Sequence, residues 1–460
     1  MAFAANPFLS ESDRKQFRRE RTLFLAAISS GTILNPLNSS IISMALHDIQ
    51  ITFAISFATA SWVISVYYIA SAIGQPVMGR LSDLVGKRTI FLAGLAVAML
   101  AVCGAPFISS FSSLLLLRIL QAIGTSAIFP SGMGMIREHI FYKQAYAVSV
   151  ISVFNSVTVA IGPTIGGFAI SYGGWLAIFM TNVPFLLVSF LLAWFVLPKE
   201  EHDKVMKRKE TDFDFPGILL FTATLVFLLL FLLSLKSNVN YVYGLLGVAA
   251  LFFFIRREAT MPNPFIDVRL FQTNKALRSI NLMFVLLNIY NYALLFGLPT
   301  FFVQRMGADI KVIGLLMFFI AGFSIVISPI TGKWIDTSGT AVPLLVGSLL
   351  LLVGAFLVTL CFSFVTLFWC IPILSIIGLG YGLLNVSLQA AMLQAAPTEK
   401  IGIASGLFQT SRYIGAIFSS LLLAMITSES GNEIPVHLFG GTLVSIAVIS
   451  TMMSFRIHKE

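Results

Sequence analysis

Charge is what this 460-residue chain has least of. Only 11% of its residues are Asp, Glu, Lys or Arg, against roughly 25% in a soluble globular domain. That shortage excludes a soluble enzyme, and equally a disordered or fibrous chain. Cysteine is scarce as well. Cys103, Cys361 and Cys370 fall in or beside apolar stretches, with no metal-ligand spacing and no even-numbered framework. Neither a disulfide scaffold nor a cysteine-held metal is expected. The chain has no His-rich cluster, no Gly-x-Ser-x-Gly and no Gly-x-x-x-x-Gly-Lys loop. Without those signals we expect no catalytic residue, no metal, no cofactor and no direct ATP drive. Acid is missing where it would matter most, since none of the twenty Asp and Glu residues lies in the middle of an apolar run.

What fills the chain instead is hydrocarbon. Hydrophobic residues make up 57%. At about 20 residues per membrane crossing, that suffices for more than ten helices. The runs place fourteen spans. Six lie at 22–44, 58–79, 89–108, 113–136, 145–171 and 175–197, and a pair at 215–235 and 241–256. Six more lie at 279–303, 311–333, 341–362, 364–393, 401–427 and 434–456. A chain crossing lipid must satisfy its backbone polar groups internally, and the short alternating segments of a β-barrel are absent, so the fold class is all-α integral membrane. Residues 1–21 are polar and basic, and the apolar run behind them is too long for a signal peptide. We read it as a retained first span.

The net charge is +9, but the basic residues sit in short runs between apolar stretches rather than on a folded basic domain. That pattern points to topology and not to nucleic acid. With these spans, 24 of the 29 Lys and Arg residues fall on the side shared by the termini, and three (Lys236, Arg305, Lys311) on the other. Both termini are therefore expected in the cytoplasm of a multi-pass cell-membrane protein. The long polar connections, 198–214 and 256–278, flank spans seven and eight. The expected organisation is a six-helix bundle over 1–197, linker loops with a two-helix insert over 198–278, and a second six-helix bundle over 279–460.

The segment Gly79-Arg80-Leu81-Ser82-Asp83-Leu84-Val85-Gly86-Lys87-Arg88 follows span two, and a weaker copy, Gly332-Lys333-Trp334-Ile335-Asp336-Thr337-Ser338-Gly339, follows span ten. Each sits in the second cytoplasmic loop of its own half, so the two halves read as repeats, the usual build of secondary transporters. Gly79–Arg88 resembles motif A of the major facilitator superfamily, and Leu117-Arg118-Ile119-Leu120-Gln121-Ala122-Ile123-Gly124 resembles its motif B. Gly162-Pro163-Thr164-Ile165-Gly166-Gly167 resembles motif C, the exporter signature, with Thr158 where the family has a first glycine. The first-helix segment from Leu37 to Leu46, Asp214-Phe215-Pro216-Gly217 at the insert, and Ala404-Ser405-Gly406 with Arg412 are similar to the fourteen-helix drug:proton antiporter subfamily. The resemblance implies a major facilitator-like fold, small-molecule cargo, export in exchange for protons and action as a monomer.

Physical readings attach to the same residues. Gly79 and Gly86 suit tight turns. Asp83 has two candidate partners, the N-terminal dipole of span thirteen and Arg137. Asp336 is expected to do the same at the start of span five, and Arg88 serves the loop or topology. Gly162, Pro163, Gly166 and Gly167 suit a hinge or a close helix seam. Arg118 and Arg412 are ionisable groups inside spans, which makes them candidates for coupling or for an anionic cargo. The alternative is structural: Arg118 bonded to helix carbonyls and Gln121, and Arg412 snorkelling to the cytoplasm. The subfamily's first-helix aspartate is Asn38 here, and Asn cannot titrate. That departure puts the simplest proton-exchange mechanism in question and favours neutral or anionic amphipathic cargo. Asn38, Arg118, Asn155, Asn288, Asn291, Tyr292 and Asn385 are the candidate cargo contacts, with interhelical hydrogen bonding as the competing role of each Asn. Coupling at the rims would fall to His47, Asp48, Glu138 or His139. Two functions remain open: a secondary exporter of small amphipathic or toxic organic compounds, and a facilitator or anion-linked carrier on the same fold. A membrane sensor or enzyme ranks below both.

Overall fold

In the computed structural model the described residues are 11–199, 214–235, 239–307, 309–362, 364, 366–428 and 435–459. Apart from short 3₁₀ turns, their regular structure is helical. We number the helices α1 (Glu11–Thr32), α2 (Leu34–Ile41), α3 (Leu46–Phe53), α4 (Phe57–Ala60), α5 (Trp62–Val85), α6 (Lys87–Gly104), α7 (Phe111–Ser126), α8 (Ile128–His139) and α9 (Gln144–Val196). These are followed by α10 (Phe215–Ser234), α11 (Tyr241–Thr260), α12 (Val268–Thr273), α13 (Lys275–Met306) and α14 (Ile310–Ser338). The last are α15 (Ala341–Cys361), α16 (Leu367–Ala395), α17 (Ile401–Ser428) and α18 (Val436–Lys459).

Ten helical stretches among the described residues are long and apolar enough to cross a membrane. The other four expected spans also fall on helices: 22–44 on α1, α2 and the following 3₁₀ turn, 58–79 on α4 and α5, 241–256 on α11, and 401–427 on α17. Their polar content sets them apart. α17 carries Gln409, Thr410, Ser411 and Arg412 in succession, and α11 ends in Arg256, Arg257 and Glu258. α9 runs through two expected spans, and its backbone leaves helical geometry at Gly173 and Gly174, between them. Gly174 has φ 60° and ψ −162°, a conformation open to glycine because it lacks Cβ.

The chain forms two compact units. The first contains 1–213 and 396–410, and the second 214–395 and 411–460. Within the first, α6 and α7 meet at glycine. A methyl group on Gly124 would lie 2.5 Å from the Ala98 amide nitrogen, and one on Gly94 would lie 2.6 Å from the Gly124 carbonyl oxygen. Within the second, α16 presents Gly378 to the Ile320 carbonyl of α14 and Gly380 to the backbone of Gly347 on α15. Such close approach lets dispersion contacts hold helices together where lipid supplies no hydrophobic drive.

Candidate functional site

The first unit buries a cation. Arg118, on α7, is 1% exposed, and an uncompensated guanidinium at that depth would cost several kcal/mol. Its Nε donates to the Val63 carbonyl at 3.3 Å and its Nη1 to Gln121 Oε1 at 2.6 Å. The Tyr67 ring lies 4.2 Å from the guanidinium carbon, and the Phe179 ring 6.0 Å away. Tyr67 is fixed in turn by a 3.0 Å hydrogen bond between its hydroxyl and Thr125 Oγ1. From Arg118 the network continues: Gln121 Nε2 donates to Asn38 Oδ1 at 2.9 Å, and Asn38 Nδ2 to the Leu34 carbonyl at 2.9 Å. Asn38 and Arg118 are thus brought together through Gln121. The structural contacts expected of Arg118, a helix carbonyl and Gln121, are present. The positive charge is stabilised by π-electrons and neutral acceptors. Nη2 is buried with no hydrogen-bond partner among the described residues.

At the C-terminal end of α5 the two candidate partners of Asp83 are distinguished. Its Oδ1 accepts from the Gly402 amide at 2.9 Å and its Oδ2 from the Ile403 amide at 3.0 Å. These are first-turn N–H groups of α17, which have no intrahelical acceptor and carry the positive end of the helix dipole. Arg137 instead donates to Gln144 Oε1 at 3.1 Å. Gly79 lies inside α5 rather than in the tight turn expected of it, and its backbone and that of Gly402 lie so close that a Cβ on either would collide with the other's carbonyl. Burial pushes the Asp83 carboxyl up to about 6, against the lowering influence of Lys87, the two amides and Arg80. At neutral pH it is still mostly ionised and able to accept both bonds. Gly86, at φ 122°, ends α5. Lys87 is 1% exposed and threads past Gly134 to an ion pair with Glu138. Arg88 Nη2 donates to the Trp194 carbonyl at 2.7 Å, with its guanidinium 5.8 Å from that indole ring.

The family model that describes the Major Facilitator Superfamily matches residues 28–420. The chain belongs to that superfamily. It is 46% identical over 440 residues to the uncharacterized MFS-type transporter YwoD of Bacillus subtilis, covering 95% of this chain and 97% of that one. It is 28% identical over 429 residues to the multidrug resistance protein Stp of Mycobacterium tuberculosis, covering 89% and 77%. Among solved structures, the human organic anion transporter MFSD10 superposes with a TM-score of 0.67 at 14% identity, covering 94% of this chain and 99% of that one, which shows a shared fold.

As a major facilitator the protein is a multi-pass membrane transporter of small molecules, and the remaining candidate residues have definite places in it. Gly162 and Gly166 line a seam in the first unit. A Cβ on Gly162 would strike Ser40 Oγ, and one on Gly166 would lie 3.1 Å from Ile41 Cγ2. Gly167 is exposed, and a Cβ there would meet no atom of the described residues within 4 Å. Pro163 lies on α9, but its side chain falls outside the described residues. Asn155 is buried, with Oδ1 lacking a hydrogen-bond partner among the described residues. In the second unit Asn288 donates to the Phe284 carbonyl at 2.7 Å and packs directly against Gly415 of α17. Asn291 and Tyr292 are half-buried on the same helix, and Tyr292 packs on Phe296 at 5.6 Å. Arg412 shares a hydrogen bond with Tyr381 and lies near Tyr292 and Tyr413. Asn385 Oδ1 accepts from Gln389 Nε2 at 3.0 Å. Asp336 is exposed near the end of α14. At the rims, Glu138 is engaged by Lys87, and His139 Nδ1 lies 3.0 Å from the Met135 carbonyl. Burial holds the His139 imidazole below its ordinary range.

Among the residues of these sites that were not anticipated are Tyr67 beneath Arg118, Gly402 against Gly79, and Trp194 over Arg88. Gly402 had a signal, a glycine at the start of a helix. Tyr67 and Trp194 are aromatic residues in apolar runs and carry no mark of their own.

Proposed function

We propose that the protein is a fourteen-span secondary active exporter of small organic, amphipathic or toxic compounds. It works by alternating access as a monomer in the cell membrane, with both termini in the cytoplasm, two six-helix bundles over 1–197 and 279–460, and the insert between. The observation that carries the cargo side of this reading is the Asn38–Gln121–Arg118 network, polar, buried and without a carboxylate. Its chemistry suits cargo that is neutral or anionic. The multidrug resistance name of Stp supports export of toxic compounds. The gating side rests on Asp83, whose two bonds to the first turn of α17 would hold one access state and release in the other. Asn38, Arg118, Asn155, Asn288, Asn291, Tyr292 and Asn385 are proposed to contact cargo, and Arg118 and Arg412 to link it to the driving ion. The second reading, a facilitator or anion-linked carrier, is favoured by Arg118 Nη2, which has no partner among the described residues, and by the absence of acid within the spans.

Reconstitution into liposomes loaded with a pH-sensitive dye separates the two. Proton flux that appears only with amphipathic cargo supports antiport. Cargo movement indifferent to an imposed proton gradient supports the carrier. No movement of neutral or anionic amphiphiles, with lipophilic cations transported instead, overturns the reading of the buried network.

A further inference from the structure

The base of the two-helix insert holds two carboxyl groups that face each other. Asp214 immediately precedes α10, and its Oδ1 is fully engaged: the Gly217 amide donates to it at 3.0 Å, Arg257 Nη2 at 2.9 Å and Arg257 Nε at 3.2 Å. Glu258, near the end of α11, is 0% exposed, and its Oε2 accepts from the Ile266 amide at 2.7 Å. The two remaining oxygens, Asp214 Oδ2 and Glu258 Oε1, are both buried and have no hydrogen-bond partner among the described residues. They converge on Gly217, where a single methyl group would strike both. Two ionised carboxylates would repel there, and Arg257 offsets only one of the two charges. α10 carries no charged residue. Among the described residues, the other charged groups nearest the pair in sequence are Arg256, which is exposed, Asp267, and Arg269, whose Nη2 donates to the Ala259 carbonyl.

We propose that Asp214 and Glu258 are a proton-binding site: one exchangeable proton sits between Asp214 Oδ2 and Glu258 Oε1, and it keeps the 261–267 connection fastened to the base of the insert. The fastening has two parts. One is the Ile266–Glu258 hydrogen bond. The other is Phe265, 2% exposed, whose ring centroid lies 5.5 Å from that of Phe221. The proton converts a repulsive pair into an O–H donor and an acceptor, and its loss to water leaves like charges in a buried pocket. The two groups are held apart in acidity. Burial would raise Asp214, but the bonds from Arg257 and Gly217 outweigh it and hold that carboxyl below the ordinary range. Burial pushes Glu258 up to about 7, despite the Ile266 amide. A carboxyl raised in the folded state favours that state while protonated, so the fastening is complete at low pH and weakens as pH rises through about 7. The site lies outside the transport residues above and does not depend on the proposed cargo.

The test is infrared difference spectroscopy on the full-length protein, paired with hydrogen exchange of 261–267. We expect a protonated-carboxyl carbonyl band that fades as pH rises through about 7 and is missing in Glu258→Gln. Exchange in 261–267, corrected for intrinsic base dependence, should speed up over the same interval in the wild type. In Glu258→Gln, whose amide donates permanently, it should stay slow. If the variant does not fold, the wild-type band and exchange profile decide alone. No titrating band in the wild type, or the same band in the variant, overturns the proposal. So does displacement of the band at constant pH by sodium chloride but not by choline chloride, which would assign the pocket to a small cation.

Discussion

Arg118 shows how a membrane helix carries a charge with no counter-charge among the contacts of the described residues. Its planar guanidinium lies over the Tyr67 ring while two of its edges donate to Val63 and Gln121. A lysine keeps the charge but not the fork or the flat face, so Arg118→Lys is not conservative at this position. Its ammonium would have to choose between the ring and the two acceptors, stranding at least one buried acceptor at a cost of about 1–3 kcal/mol. We expect the purified variant to melt several degrees below the wild type in a detergent thermostability assay, with cargo transport reduced at least as severely. Wild-type stability together with wild-type transport would show that the stack and the fork contribute nothing. Replacing Tyr67 by Phe should be milder, because it leaves the π face and removes the hydroxyl that bonds Thr125.

At the scale of the element, the most informative junction is the start of α17. A helix N-terminus buried without partners leaves amide hydrogens unsatisfied, and here Asp83 supplies acceptors to two of them across more than three hundred residues of sequence. Asp83→Ala removes both bonds and the charge that faces the dipole. A loss of about 1.5–3 kcal/mol, the range for bonds to a charged group, predicts roughly a tenfold to hundredfold rise in amide exchange at 402 and 403. Asp83→Asn, keeping an acceptor but no charge, should fall between. Unchanged exchange in both variants would remove the clamp from any gating scheme. The junction also marks what sequence could and could not supply. The helices themselves were legible because long apolar runs admit no other lipid-spanning form, and the interruption near 172–174 was legible because Gly-Gly ends such a run. That Asp83 takes α17 rather than Arg137 was not, since both partners satisfy the same electrostatics and only packing chooses. Arg118 and its Gln121 neighbour are three residues apart on one helix and could be paired by eye, whereas Tyr67 comes from α5 and Asn38 from α2. The acid pair at the insert is hidden from sequence for a related reason: Glu258 looks like a solvated loop carboxylate until α10 brings Gly217 and Asp214 against it.

For the whole molecule, the charge asymmetry makes a claim about which face meets which compartment. Moving a lysine or arginine across the bilayer during insertion is costly, so basic loops stay on the cytoplasmic side. The imbalance here, 24 against three, predicts that both termini face the cytoplasm. The claim also bears on the insert. α10 begins and α11 ends close together, at Asp214 and Glu258, so if the pair crosses the membrane, the connection between them must emerge on the far side. Impermeant maleimide labelling of intact cells tests both points in a background where Cys103, Cys361 and Cys370 are replaced by alanine. Of these, Cys103 is exposed and would otherwise contribute background, while Cys370 is buried. Lys236→Cys and Asp309→Cys should label in intact cells, and Lys15→Cys and Lys199→Cys only after permeabilisation. The reverse pattern would invert the topology. Labelling of Asp309→Cys without Lys236→Cys would show that the inserted helices do not cross, reducing the count to twelve and leaving the proton-binding pair at the end of a hairpin that lies on the membrane.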